Sequence, residues 1–229
     1  MQTTTTSQST HLSLFHFIKD PGSAITHFIG MLLAIVAMPP LLIKAASGPY
    51  ENHIFAFTIF IVSMILLYAA STTYHTFQLS TDFRNNLLRK LDHSMIFIMI
   101  AGSYTPICMI VLEEPVGKML LFLVWGIALF GILLKLCWIT SPKWLSSVIY
   151  ILMGWTCILA LKPIYYSLSS FQFAWLLAGG IIYTIGGIIY ALKLPIFNSR
   201  HKNFGSHEIF HLFVMGGSIC HFIVMYSLA

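Results

Sequence analysis

Charge is scarce in this chain. Asp, Glu, Lys and Arg make up 8% of its 229 residues, against about 25% in an ordinary soluble domain. The 12 cations outnumber the 7 acids, but they are scattered through short connecting segments with no basic stripe, so no nucleic-acid partner is expected. Cysteine is sparse as well. Cys108, Cys137, Cys157 and Cys220 all fall inside apolar segments, which excludes a secreted disulfide scaffold and marks them as small packing residues. The polar, apolar-poor composition of a disordered chain is missing too.

What the chain has is apolar surface: 58% of its residues are hydrophobic and its mean hydropathy is +0.85. A soluble core of this size would not hide so much, so lipid is the natural solvent for most of these side chains. A hydrocarbon core of ~30 Å needs about 20 residues of helix. Seven stretches meet or approach that length: 25–46, 54–77, 91–112, 117–139, 146–161, 171–192 and 207–228. The sequence therefore predicts an all-α, seven-transmembrane helix bundle. Residues 1–18 read as a polar tail without fixed structure, and 19–229 as one multi-pass membrane domain, with the plasma (inner) membrane as its expected location. The first run is too long for a signal-peptide core and is read as a retained helix. Pro39 and Pro40 predict a bend or an early end in it. Lys162 and Pro163 cut the fifth run short, with Ile164–Leu168 as an extension beyond a kink.

Orientation follows from the cations. Lys19, Arg84, Arg89, Lys90, Lys135, Lys143, Lys193, Arg200 and Lys202 fall on one side of the predicted bundle; Lys44, Lys118 and Lys162 fall on the other. Nine against three predicts a cytoplasmic N-terminus and an extracytoplasmic C-terminus. That is the reverse of a G-protein-coupled receptor. The seventh span also lacks the lysine that a retinal Schiff base needs.

Ionisable groups inside spans are costly, and so they are functional candidates. His207 and His211 stand at i and i+4 on one helical face, about 6 Å apart along the axis, a spacing suited to one metal ion. Ser71 and His75 share a face at the end of the second span, and Asp92-His93 opens the third. The predicted topology brings these three segment ends to the cytoplasmic side, so His75, Asp92, His207 and His211 lie at similar depth. His93 points about 100° away from Asp92 on a helix and is a weaker candidate. His11, His16, His53 and His201 read as tail or interfacial residues. His221, ~15 Å beyond His211, approaches the opposite leaflet and reads as a packing or carbonyl-bonded residue. The pairs Gly179-Gly180, Gly186-Gly187 and Gly216-Gly217 read as sites of close helix approach.

Ser-x-x-x-His at 71–75, Asp92, and His-x-x-x-His at 207–211 together resemble the haemolysin III group of the progestin and adipoQ receptor family. Ile25-Thr26-His27-Phe28-Ile29-Gly30 is similar to that family's first motif, and the run from His211 to Ser218 to its last. The resemblance covers about residues 19–228. It implies a seven-helix fold with zinc held by His75, His207 and His211. Ser71 and Asp92 would stand beside the metal, as in the wider superfamily that includes adiponectin receptors and alkaline ceramidases. Where relatives often carry Glu and Asn before the Thr-His pair, this chain has Asp20 and Ser23, which leaves those two positions without an expected role.

Three neutral imidazoles with an open fourth position are the arrangement of a catalytic zinc. In that reading Asp92 accepts a proton from water and Ser71 positions the water or steadies an oxyanion. A membrane lipid amide or ester is the expected substrate. The alternatives are a lipid sensor that uses the cavity without turnover, a membrane-perturbing cytolysin, and a metalloprotease. The last arises because His207-Glu208-x-x-His211 formally matches H-E-x-x-H, although Glu208 also suits the first turn of a helix through the macrodipole.

Overall fold

The computed structural model describes residues 18–48, 51–79, 81–192 and 205–229, except for the side chains of residues 51, 52 and 143. Most of the predicted tail lies outside the described residues, as do Lys193, Arg200, His201 and Lys202. Among the described residues, seven helical segments are long and apolar enough to cross a membrane. The protein is a multi-pass integral membrane protein. We label its helices α1 (Pro21–Ala46), α2 (Glu51–Thr76), α3 (Asp82–Pro106), α4 (Val116–Cys137), α5 (Lys143–Gly154), α6 (Leu161–Ser167), α7 (Ser170–Leu192) and α8 (Ser206–Leu228). Helices α5 and α6 belong to one span, joined by a 3₁₀ stretch over Trp155–Ala160.

The helix ends are set locally, and the start of α3 departs from the sequence expectation. Helix α1 runs through Pro39 and Pro40 to Ala46 instead of ending at them. Helix α3 begins nine residues before the apolar run, because Thr81 caps it, its hydroxyl accepting from the Arg84 N–H at 3.4 Å. Its far end loosens into a π-helical turn at Ile107–Val111, directly after Pro106, which lacks the N–H an α-helix would use there. The fifth span is carried to Ser167 by the change to 3₁₀ geometry before Pro163. That proline then sits in the first turn of α6, where its missing N–H costs little.

The helices close into a ring. In order around it, α4, α3, α2, α1, α8, α7 and α5 each pack on the next, and α5 with its 3₁₀ extension returns to α3 and α4. Phe57, Phe60 and Ile61 of α2 are completely buried, while Val36, Phe122, Phe130 and Leu159 face outward. Lipid supplies no hydrophobic drive between helices, so close packing and polar contacts must hold the ring. Small residues allow the α7–α8 contact: a Cβ on Gly186 would lie 2.6 Å from that of Phe213, and one on Gly217 would lie 2.8 Å from the Tyr183 ring. Ser218 joins three helices, accepting from Tyr68 of α2 at 2.7 Å and bonding Tyr183 of α7 at 2.9 Å. Polar ends are satisfied locally. The buried Lys135 ammonium donates to the hydroxyls of Ser141 (2.7 Å) and Ser146. At the opposite end of the bundle, Lys44 donates to the last-turn carbonyl of Tyr226 at 2.5 Å, a favourable place for a cation. The four cysteines are free thiols.

Candidate metal centre

The ring brings together three chain segments at one end: the last turn of α2, the first turn of α8, and the entry into α1. His75 and His211 are buried and His207 is half-buried. Each offers one ring nitrogen, and the three nitrogens lie within 4.8 Å of one another. The Nε2 atoms of His75 and His207 are 3.1 Å apart. That is close to the ~3.3 Å separating two imidazole nitrogens on one tetrahedral zinc.

The donor set fits such an ion because of what the other ring nitrogens do. His75 Nδ1 lies 2.9 Å from Asp20 Oδ2. A carboxylate accepts only, so Nδ1 carries the proton and Nε2 keeps its lone pair for the cluster. His211 Nδ1 lies 3.3 Å from the Ser23 carbonyl, which also takes an O–H from Thr26 at 3.0 Å. The same logic leaves the other nitrogen of His211 as a lone pair. The entry of α1 thus sets the tautomer of two of the three histidines. It is itself tied to α2 by backbone bonds from the N–H groups of Lys19 and Asp20 to the carbonyls of Thr76 and His75.

Glu208 is occupied elsewhere. Its Oε2 accepts from the Gly205 N–H at 2.7 Å, capping α8, and its Oε1 accepts from the Ser23 hydroxyl at 2.6 Å. Both carboxylate oxygens hold structure, so the H-E-x-x-H pattern has no free base here.

Ser71 lies one turn before His75 on α2. It is buried, and its hydroxyl has no hydrogen-bond partner among the described residues. Asp92 is buried as well, with Oδ2 3.3 Å from His93 Nδ1. His93 is not among the converging nitrogens, as its helical phase implied, although its side chain turns toward that of Asp92. Ser71, Asp92 and His93 line one internal cavity with His27, His207 and His211. The cavity measures about 140 Å³, and its remaining wall is chiefly Leu, Ile, Met, Phe and Tyr from α2, α3, α5, α7 and α8, with Trp155 of the 3₁₀ stretch. His221 also borders it, one end of the wall being at the histidine cluster and this residue lying ten positions along α8. His221 is therefore a cavity residue, not only a packing one.

Three residues near the centre had no role assigned from sequence. Asp20 and Ser23 support His75, His211 and Glu208, as described. His27 is buried against His211. The helical i, i+3 spacing of Asp20 and Ser23 and the i, i+4 spacing of Ser23 and His27 put them on one face of the α1 entry. That face is identified only once α1 is known to pack between α2 and α8.

Comparison with known proteins gives a consistent result. A family model described as haemolysin-III related matches residues 15–222. The chain is 41% identical to a hemolysin-3 homolog of Bacillus subtilis, over 91% of this chain and 93% of that protein. It is 40% identical to hemolysin-3 of Bacillus cereus over 88% of each. It is 24% identical to the adiponectin receptor protein of Drosophila melanogaster, over 92% of this chain and 50% of that protein.

Proposed function

Since the chain belongs to the haemolysin-III-related family, we propose that this family member is a zinc-dependent hydrolase acting on an amide or ester bond of a membrane lipid, in the plasma membrane and with its histidine centre on the cytoplasmic side. The observation that carries the reading is the histidine triad, with ring nitrogens within 4.8 Å, at the edge of a cavity that also holds Asp92 and Ser71.

His75, His207 and His211 hold the metal, and Asp20 and the Ser23 carbonyl keep two of those rings in the ligating tautomer. When bound, zinc supplies a Lewis acid that polarises a carbonyl and acidifies a water. Asp92 is the base, taking a proton from the attacking water onto a carboxylate oxygen. Its burial away from bulk solvent keeps that proton for the leaving group. The Ser71 hydroxyl, which has no partner among the described residues, donates to the carbonyl oxygen as charge builds on it. The apolar remainder of the cavity wall suits an acyl chain, and water-poor surroundings strengthen each of these polar contacts.

The test is turnover. Purified protein loaded with zinc is incubated with membrane-lipid extracts, and free fatty acid is followed by mass spectrometry. Release that stops on chelation and returns with zinc supports the hydrolase. No zinc-dependent product across varied extracts replaces it with a lipid sensor that occupies the cavity without consuming its ligand.

A further inference from the structure

His27 is 3% exposed, in the second turn of α1. Its ring stacks flat on that of His211, with centroids 3.6 Å apart and planes 8° from parallel, and meets Tyr68 in a T-shaped contact at 5.0 Å. It is not one of the three histidines whose nitrogens converge. A neutral imidazole has one N–H to donate and one lone pair to fill, yet neither ring nitrogen of His27 has a hydrogen-bond partner among the described residues. Folded interiors leave few such atoms unpaired, because each costs its full desolvation. A Phe or Leu would have filled the space against His211 and Tyr68 without that cost.

Ser71 repeats the pattern on the neighbouring helix. Its hydroxyl is buried and unpartnered among the described residues, and it lies one turn after Tyr68, on the flank of α2 that His27 touches. Both residues line the same cavity, beside His207 and His211. Two hydrogen-bonding groups from two helices, unsatisfied among the described residues and carried by side chains that line one cavity next to a histidine centre, form a subsite for the polar atoms of a ligand.

We propose that His27 is a substrate-positioning residue that donates its ring N–H to the carbonyl oxygen of a lipid headgroup in the cavity. The ligand class rests on the hydrolase reading above; the hydrogen bond does not. Stacking on His211 fixes the plane of the His27 ring, so the donor is aimed before the ligand arrives and little ordering cost remains to binding. Its place against a metal-ligand candidate also keeps the carbonyl near the centre.

The experiment uses a probe that cannot be hydrolysed. 2-Heptadecanone carries one carbonyl on a single chain, and heptadecane is its apolar control. Binding of each to the zinc-loaded protein is measured by native mass spectrometry, with zinc content and melting temperature recorded for every variant. His27→Phe keeps the stack and removes the nitrogens; His27→Leu makes the same comparison if the Phe ring does not fit. The expected result is about tenfold weaker binding of the ketone, unchanged binding of the alkane, full zinc content, and a melting temperature equal to or above that of the wild type. His27→Gln, which keeps a donor, recovers part of the ketone affinity. Equal ketone binding by wild type and His27→Phe overturns the proposal. So does an equal loss for ketone and alkane, loss of zinc, or failure of the wild type to bind the ketone. Absence of fatty-acid release with ketone binding intact removes the hydrolase reading and leaves the role of His27 standing.

Discussion

Asp20 Oδ2 stands 2.9 Å from His75 Nδ1, across 55 positions of sequence. An acid one residue ahead of α1 thus decides which nitrogen of a histidine at the end of α2 is free to bind a metal. The Asp20 side chain is 42% exposed and that of His75 only 4%. The contact therefore spans the boundary between water and the buried cluster.

Replacing Asp20 by Asn removes the obligatory acceptor while keeping its size. The expected effect is a ~10–100-fold loss of zinc affinity with the fold retained, the usual cost of losing a carboxylate behind a ligating histidine. Chelator competition measures it. Unchanged affinity would mean that the His75 tautomer is set by something else.

Glu208 has a different fate. Its carboxylate caps α8 and accepts from Ser23, so Glu208→Ala is expected to lower stability by about 1 kcal/mol and to leave zinc in place. Glu208→Gln retains a capping oxygen and should retain turnover. Loss of turnover in the Gln variant, with zinc and stability intact, would revive the metalloprotease reading.

Ser71→Ala and Asp92→Asn are expected to keep both zinc and fold, because neither residue belongs to the three-histidine set. Asn at 92 preserves shape without the basicity, and the loss of a general base lowers turnover by ~10²–10⁴-fold. Fatty-acid release from the wild type and each variant decides the matter. Variants as active as the wild type would remove both residues from the mechanism.

The seven spans were legible because long apolar runs have few other homes. The polar start of α3 was not, since residues 82–90 carry Arg84, Asn85, Arg89 and Lys90 ahead of the apolar run; the Thr81 cap was the available signal. His75, His207 and His211 could be gathered from topology alone, because helix ends on one side of a membrane share a depth. Asp20, Ser23 and His27 could not. Their roles depend on α1 lying between α2 and α8, and a linear pattern carries no record of which helices are neighbours. Asp92 and His93 mark another limit: helical phase predicts where Cβ atoms point, and side-chain rotation then brought the two groups to 3.3 Å.

The cation distribution predicts that a reporter fused at Ala229 behaves as extracytoplasmic and that fusions after Arg84 or Lys202 behave as cytoplasmic. A cytoplasmic C-terminus would reverse the assignment of the histidine centre to the cytoplasmic face.

Metal content of the purified protein tests the central claim most directly. Elemental analysis by mass spectrometry should find about one zinc per chain in the wild type and in His221→Ala, whose residue borders the cavity away from the three converging nitrogens. Single Ala replacements of His75, His207 or His211 should lower that content, and the triple replacement should abolish it while the protein still elutes as a folded species. A folded triple variant that keeps one zinc per chain would contradict the assignment of the site.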